Sequence, residues 1–350
     1  MSWRACTLGD VIKLQRGHDL PERVRVDGPV PVVSSSGITG RHNVPRVDPP
    51  GVITGRYGTI GEVFFVDEPY WPLNTALYVV DFKGNDPRFA AYLLRNTLKN
   101  YKSEKAAVPG VDRNVLHLLK VRTAERREQE QVVSILSAYD DLIENNRRRI
   151  VLLEEAARML YREWFVYFRF PGHEHVKIID GIPEGWERLK VGDVAQLAYG
   201  KALKEETRVE GLYPVYGSSG IVGTHHAALV VGPAIVVGRK GNVGSVYWST
   251  SDCWPIDTAY FIPSAQADFW LYLALPHVGF QNTDGGVPGL NRDFAHSRKI
   301  TKPTERLRRF FNETVEPMFG QRETLLRYNR KLGQVRDLLL PRLMNGEIAV

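Results

Sequence analysis

Short apolar runs separated by turn residues dominate two segments of the chain. Gly, Pro and Ser punctuate these runs, of which 77–80 and 234–237 are examples. This pattern is typical of β-strands joined by short turns. The segments 89–94 and 269–274 are predicted to form short helices within the same β-rich regions.

The two segments that follow these regions contain almost no glycine and predict long helices. Apolar residues recur at heptad spacing over 129–164, and a second, poorer heptad pattern follows the second β-rich region. Asn146 interrupts the first seam, where it either fixes the register or lies at an exposed end. Pro317 lies inside the second pattern and is expected to kink or restart that helix.

We expect the two helices to pair with each other as an antiparallel coiled coil. Two amphipathic helices, each packed on its own domain, are the alternative. The residues assigned to helix pairing are Leu136, Ile143, Ile150, Leu153, Leu160, Leu325, Leu332 and Leu339.

The second half of the chain repeats motifs of the first half in the same order. A Trp motif ending in Gly-Asp-Val at 3–11, a Gly-Arg-x-Gly-x-x-Gly motif at 55–61 and a Trp-Pro motif at 71–76 all recur 183 residues later. A Val-Pro-Gly motif at 108–113 recurs 179 residues later. Ordered matches at nearly constant offset indicate an internal duplication.

The predicted fold class is therefore α+β, with pseudo-twofold symmetry between two duplicated halves. The β-rich α/β domains are expected at 1–122 and 171–302. The helical regions are expected at 123–170 and 303–350.

Composition narrows the class of protein. The 350 residues are 43% hydrophobic and 25% charged, which excludes a disordered or collagen-like chain. The net charge of +6 permits a polyanionic partner without requiring one. Two distant cysteines, Cys6 and Cys253, exclude a disulfide framework, and the N-terminal residues lack an apolar signal segment. We expect a cytoplasmic protein.

No motif for catalysis or for metal binding is apparent. The sequence lacks a phosphate-binding P-loop, an Asn-Pro-Pro-Tyr-like motif for adenine methylation and a His-Glu-x-x-His zinc motif. The clusters His225-His226 and 173–175 are interpreted as exposed loop residues rather than metal ligands. The repeated Gly-Arg motif is interpreted as a tight turn that presents a basic residue. We expect no catalytic residue, no metal and no cofactor in this chain.

The ordered motifs resemble the specificity subunits of type I restriction–modification enzymes. The resemblance covers nearly the whole chain. It is carried by the duplicated Trp…Gly-Asp-Val and Gly-Arg motifs, by the Trp-Pro segment, by the helix start at 128–136 and by the C-terminal segment 338–348.

This resemblance implies two target-recognition domains, each of which reads one half of a split double-stranded DNA site. It also implies two helical regions that space these domains and dock two copies of an adenine methyltransferase. S-adenosylmethionine would then bind the partner methyltransferase, and ATP and Mg would bind restriction or translocase subunits where those are present.

Residues shared by the two halves are better candidates for phosphate contact or scaffold than for base readout, because the two domains read different sequences. For the paired serines, turn capping is an equal alternative. Two lysines after a Tyr-Gly turn join this group as backbone candidates. The assigned residues are Ser35, Ser36, Arg56, Arg113, Lys201, Lys204, Ser218, Ser219, Arg239 and Arg292.

Residues that differ at matched positions are the candidates for base readout. Arg and Lys suit guanine, and Asn suits adenine. An exposed polar loop residue is the alternative for each. The candidates are Arg41, Asn43, Tyr57, Thr59, Thr224, His226, Lys240 and Asn242.

Two other functions compete with DNA reading. A stand-alone nuclease or methyltransferase would need a catalytic or cofactor motif, and binding of S-adenosylmethionine would reveal it. A duplicated scaffold that joins two proteins would show no salt-dependent DNA binding.

Overall fold

The computed structural model describes residues 3–57, 61–99, 101, 110–283, 285–286 and 288–350. The chain divides into two compact units. Unit 1 comprises Met1–Arg147 together with Leu326–Val350, and unit 2 comprises Arg148–Leu325. Both units combine strands and helices, which confirms the α+β prediction.

Unit 1 begins with nine strands and three short helices. In chain order these are β1 (Arg4–Thr7), α1 (Leu8–Val11), β2 (Lys13–Arg16), β3 (Val30–Ser34), β4 (Gly37–His42), β5 (Gly51–Gly55), β6 (Val63–Val66), β7 (Trp71–Pro72), β8 (Ala76–Asp81), α2 (Pro87–Leu98), α3 (Arg113–His117) and β9 (Lys120–Thr123). The long helix α4 (Arg126–Tyr161) starts in unit 1 and continues past its boundary.

The strands of unit 1 form three small sheets. The order is β2-β8-β5-β6 in the largest sheet, β4-β3-β7 in the second and β1-β9 in the third. The largest core cluster joins α1, α2 and the first sheet to Leu136 of α4. The cluster is completed by three residues from the second segment of unit 1: Leu340, Leu343 and Met344. The core of unit 1 therefore contains residues from both ends of the chain.

Unit 2 repeats this sequence of elements. After one π-helical turn at Arg162–Val166 come β10 (Ile178–Ile179), β11 (Ile182–Pro183), β12 (Glu187–Lys190), α5 (Val191–Val194), β13 (Ala198–Tyr199), β14 (Tyr213–Gly217), β15 (Gly220–His225), β16 (Ala234–Gly238), β17 (Val246–Ser249), β18 (Trp254–Pro255), β19 (Ala259–Ile262), α6 (Phe269–Ala274), α7 (Arg292–Ser297), β20 (Lys299–Lys302) and α8 (Glu305–Met344).

The sheets of unit 2 have the same strand order as those of unit 1. They are β13-β19-β16-β17, β15-β14-β18 and β12-β20, with an additional hairpin formed by β10 and β11. The helices α2 and α6 lie at the predicted segments 89–94 and 269–274. The duplication seen in the sequence is therefore a duplication of topology as well.

The short helices α2 and α6 are tied to the long helices through their capping aspartates. Asp86 caps α2, and its backbone N–H donates to Gln129 Oε1 of α4 at 2.8 Å. Asp268 caps α6 and accepts from Arg308 Nε at 2.6 Å and from Asn312 Nδ2 at 2.8 Å, both on α8. Each β-rich region is thus fixed to a long helix by a polar network rather than by apolar packing alone.

The two long helices contact each other in antiparallel directions within each unit. In unit 1, Arg336 Nη1 donates to Asp140 Oδ1 at 2.6 Å. In unit 2, Arg322 Nε donates to Glu154 Oε1, also at 2.6 Å. Among the predicted pairing residues, the buried ones are Leu136, Ile143, Ile150 and Leu325, and the half-buried ones are Leu153, Leu160, Leu332 and Leu339.

Asn146 and Asn329 form a polar pair on the seam within unit 1. Asn146 Nδ2 donates to Asn329 Oδ1 at 2.8 Å, and Asn329 Nδ2 donates to the carbonyl oxygen of Ile143 at 3.2 Å. Asn146 is 8% exposed, so it does not lie at an open end. The pair satisfies its buried amides only in this register of the two helices.

Pro317 does not restart the second helix, which is one of the two outcomes that the sequence predicts for it. A single helix runs from Glu305 to Met344. The proline is exposed, and Val315 and Phe319 on either side of it are buried in the core of unit 2. Burial of these neighbours offsets the lost backbone hydrogen bond. No helix in the described part of the chain is long and apolar enough to cross a membrane.

Candidate nucleic-acid interface

The β3–β4 hairpin of unit 1 carries four of the predicted contact residues. Ser35 and Ser36 form its turn, where the Ser36 N–H donates to Ser34 Oγ at 3.1 Å. Arg41 and Asn43 are exposed at the other end of β4. The Arg41 guanidinium donates to the carbonyl oxygen of Pro29, which commits one of its donors to the protein.

The β14–β15 hairpin of unit 2 presents the matching residues. Ser218 is half-buried and Ser219 is exposed in the turn. Thr224 and His226 are exposed at the end of β15, and the Gly211 N–H donates weakly to Thr224 Oγ1 at 3.5 Å. In each hairpin, the serines that both halves share lie beside the start of the second strand. The residues that differ between the halves lie at the other end of that strand.

The interpretation of His225 as an exposed loop residue is wrong. His225 is 5% exposed on β15, its Nδ1 accepts the Val209 N–H at 3.1 Å, and its ring packs edge-on against Trp254. In unit 1, His42 Nδ1 likewise accepts a backbone N–H, and the His42 ring packs edge-on against Trp71. These histidines are scaffold, and their partners are too distant in sequence for the local pattern to reveal them.

The Gly-Arg motif forms the predicted turn in unit 2, between β16 and β17. Arg239 stacks over the rings of Tyr199 and Tyr260, with centroid distances of 5.0 and 5.7 Å. Its Nη1 donates to the carbonyl oxygen of Asp257 at 3.0 Å. Lys240 and Asn242 are exposed in the turn and free to approach a ligand.

In unit 1 the equivalent arginine stacks differently. The Arg56 guanidinium lies 4.5 Å from the centroid of the Tyr57 ring. The Arg56 N–H donates to the carbonyl oxygen of Thr75 at 2.9 Å, as the Arg239 N–H does to Thr258. The base-readout candidate Thr59 lies outside the described residues.

The remaining backbone candidates lie at the start of short helices or after a turn. Arg113 begins α3 and Arg292 begins α7. Lys201 and Lys204 are exposed after β13, and the carbonyl oxygen of Lys201 accepts the indole N–H of Trp254 at 2.9 Å. The indole therefore fixes the backbone that carries these lysines.

A histidine fixes each of these short helices on its sheet. His117 Nε2 accepts the Leu14 N–H and His296 Nε2 accepts the Leu197 N–H, each at 2.9 Å. Desolvation by burial lowers the pKa of both imidazoles from the ordinary 6.5, and Arg113 or Arg292 lowers it further. The neutral form of each imidazole is thus the one that accepts the hydrogen bond from the backbone N–H.

These histidines predict a loss of stability in mild acid. The unfolded chain binds protons on both histidines at a higher pH than the folded chain does, so stability falls as the pH falls through and below 6.5. The double variant His117→Gln, His296→Gln should show a flatter dependence of melting temperature on pH. An unchanged dependence would contradict this assignment.

The exposed side chains at these sites offer hydrogen-bond donors and positive charge. The surfaces present guanidinium, ammonium, amide and hydroxyl donors, which are the groups that contact phosphates and base edges. In the described part of the chain, no group of three or more His, Cys, Asp and Glu residues is placed to hold a metal ion.

Comparison with known proteins agrees with this arrangement. The family described as type I restriction modification DNA specificity domain matches residues 2–155 and 183–289. The HindI specificity subunit of Haemophilus influenzae is 23% identical over 82% of this chain and 84% of its own length. The MjaIX specificity subunit of Methanocaldococcus jannaschii is 27% identical over 44% of this chain, but this match spans only 38% of the relative.

A solved structure shares the fold. The S subunit of a type I restriction-modification system from M. genitalium superposes with a TM-score of 0.60, covering 98% of this chain and 96% of that one at 17% identity. The family match extends over most of the chain and covers the first β-rich region and most of the second. The chain therefore belongs to the type I restriction–modification DNA specificity family.

Proposed function

We propose that this chain is the non-catalytic, DNA-reading subunit of a type I restriction–modification complex. Each unit reads one half of a bipartite double-stranded site. The observation that supports this most directly is the repetition of one sheet topology in both units, with matched arginines and differing neighbours in the repeated Gly-Arg motif. Two equivalent scaffolds with different exposed side chains suit the reading of two different short sequences.

The same repetition supports docking of two copies of one partner. Each unit presents its own stretch of both long helices beside a β-rich region. We infer that these surfaces bind two adenine methyltransferase subunits, which supply S-adenosylmethionine and the chemistry. Restriction or translocase subunits, with ATP and Mg, would join the same complex where they are present.

Mapping of methylated adenines tests the proposal. Cells that express the chain with its methyltransferase should methylate a split motif with two specific halves and an unread spacer. Deletion of the chain should abolish this methylation. A complex that forms but shows no salt-dependent DNA binding would instead support the protein scaffold.

Substitution of the matched arginines should weaken binding to all DNA sequences about equally. Arg56→Ala and Arg239→Ala should each weaken binding to every duplex and lower the slope of log K against log salt by about one. Lys240→Ala should instead relax the base preference of one half-site, at a cost of about 1–3 kcal/mol on the preferred base. Salt titrations with cognate and unrelated duplexes measure both effects.

A change of sequence preference alone in Arg56→Ala would contradict the phosphate assignment. Arg330→Ala is a suitable control, because Arg330 is also an exposed arginine but lies on α8 outside both Gly-Arg turns.

A further inference from the structure

A tyrosine in unit 2 stands between two of the predicted phosphate contacts. Arg239 lies 5.0 Å and Arg292 lies 5.1 Å from the centroid of the Tyr199 ring. Tyr199 itself packs against Tyr260 at a centroid distance of 5.1 Å, nearly edge-on. The three elements that meet here are β13, the turn after β16 and the first residue of α7.

The backbone holds this arrangement in place. Leu290 N–H donates to the carbonyl oxygen of Arg239 at 2.8 Å, and Tyr260 OH donates to the carbonyl oxygen of Leu290 at 2.8 Å. Tyr260 is fully buried, whereas Tyr199 is 48% exposed. The two guanidinium groups are therefore fixed beside a ring that solvent can reach.

Within the described residues, no carboxylate lies within ion-pair distance of Arg239 or Arg292. The Nε of Arg292 is buried and makes no hydrogen bond. Two guanidinium groups beside one exposed ring, with no ion pair to either among the described residues, constitute a candidate anion site.

Unit 1 repeats the backbone arrangement of this site with different side chains. The position of Tyr199 on β13 corresponds to Arg16 on β2, since Arg16 pairs with Leu77 as Tyr199 pairs with Tyr260. Val111 N–H donates to the carbonyl oxygen of Arg56 at 2.9 Å, as Leu290 N–H does to Arg239. Unit 1 therefore brings a third arginine, Arg16, to the position that the exposed tyrosine occupies in unit 2.

We propose that this sheet edge is a duplicated phosphate-binding site of unequal strength, which engages one more DNA phosphate in unit 1 than in unit 2. The proposal rests on the function proposed above and adds two residues to it. Arg16 contacts phosphate directly. Tyr199 is a positioning residue on whose ring both Arg239 and Arg292 stack, so unit 2 relies on two cations where unit 1 uses three.

Exchange of the two residues tests the proposal. Tyr199→Arg should steepen the slope of log K against log salt by about 0.9 for a mixed-sequence duplex, and Arg16→Tyr should make it shallower by about the same amount. The full-length chain and fluorescence anisotropy suffice for this measurement. Tyr199→Phe keeps the ring and should leave the slope unchanged, which distinguishes the stacking ring from the hydroxyl.

Two variants with the same change of charge elsewhere serve as matched controls. Tyr167→Arg alters a comparably exposed tyrosine of unit 2, and Arg330→Tyr alters an exposed arginine of unit 1. Both should change the slope far less than the exchange variants do. Thermal melting of each variant verifies that it is folded, and the proposal requires the expected shift of the slope in both exchange variants.

The outcomes separate this inference from the proposed function. A wild-type chain whose DNA binding is independent of salt would overturn the proposed function and this inference with it. A wild-type chain with a steep slope, combined with exchange variants that behave like their controls, would overturn only the duplicated phosphate site. Opposite shifts of the slope in the two exchange variants would support it.

Discussion

Four residues inserted into each long helix at the boundary between the units should lengthen the unread spacer of the DNA site by one or two base pairs. The insertions belong between Arg147 and Arg148 in α4 and between Leu325 and Leu326 in α8. Each adds about 6 Å at roughly 1.5 Å per residue. B-DNA rises about 3.4 Å per base pair, so the added length corresponds to between one and two steps.

Insertion into both helices preserves their pairing, because the residues on either side of the boundary keep their partners. Asn146 still meets Asn329, and Glu154 still meets Arg322. An insertion of four residues is close to one turn, so a local unwinding absorbs the mismatch with the heptad repeat. The sequences of both half-sites should not change, since no recognition turn is altered.

Sequencing of methylated adenines in cells that carry the double insertion gives the result directly. A four-residue insertion beside Gly172, an exposed position where an added β-carbon would meet no atom within 4 Å, is the control and should leave the spacer unchanged. Full methylation with the original spacer in the double insertion would show that the helices do not set the distance.

Phe311→Ala should destabilise unit 2 by about 3–5 kcal/mol, the range for removal of a large buried aromatic side chain. Phe311 has no exposed surface, and its ring lies 4.9 Å from that of Phe165 and 5.5 Å from that of Trp164. It joins α8 to the end of α4, so truncation opens a cavity at the point where these helices meet.

The neighbouring residue provides a matched control. Phe310 is 47% exposed, and Phe310→Ala should cost about 1 kcal/mol or less. Tryptophan fluorescence during chemical unfolding measures both variants, because five of the seven tryptophans lie in unit 2. Equal costs for the two variants would contradict the packing described here.

Much of the fold could be predicted from the sequence because the duplication supplies two copies of each signal. The glycine pattern of the Gly-Arg motif recurs, and a local turn is a local property, so the turn after β16 was predictable. The heptad pattern likewise predicts two long helices and the apolar seam at Leu136 and Ile143. These features depend on neighbouring residues.

What the sequence could not predict depends on residues brought together from distant segments. The residues of the site in unit 2 are separated by 40 and 53 positions in the sequence, from Tyr199 to Arg239 and from Arg239 to Arg292. They meet only because β13 and β16 flank β19 in the sheet. His225 is buried because the Val209 backbone requires an acceptor. The helix continues through Pro317 because tertiary packing on both sides outweighs the intrinsic cost.

The division of the chain into units has a consequence for biosynthesis. Unit 2 is one continuous stretch, Arg148–Leu325, whereas unit 1 is assembled from Met1–Arg147 and Leu326–Val350. The core of unit 1 contains Leu340, Leu343 and Met344. As the polypeptide leaves the ribosome, the first segment to emerge must therefore wait for the last, and the middle of the chain is the part that can complete its fold first.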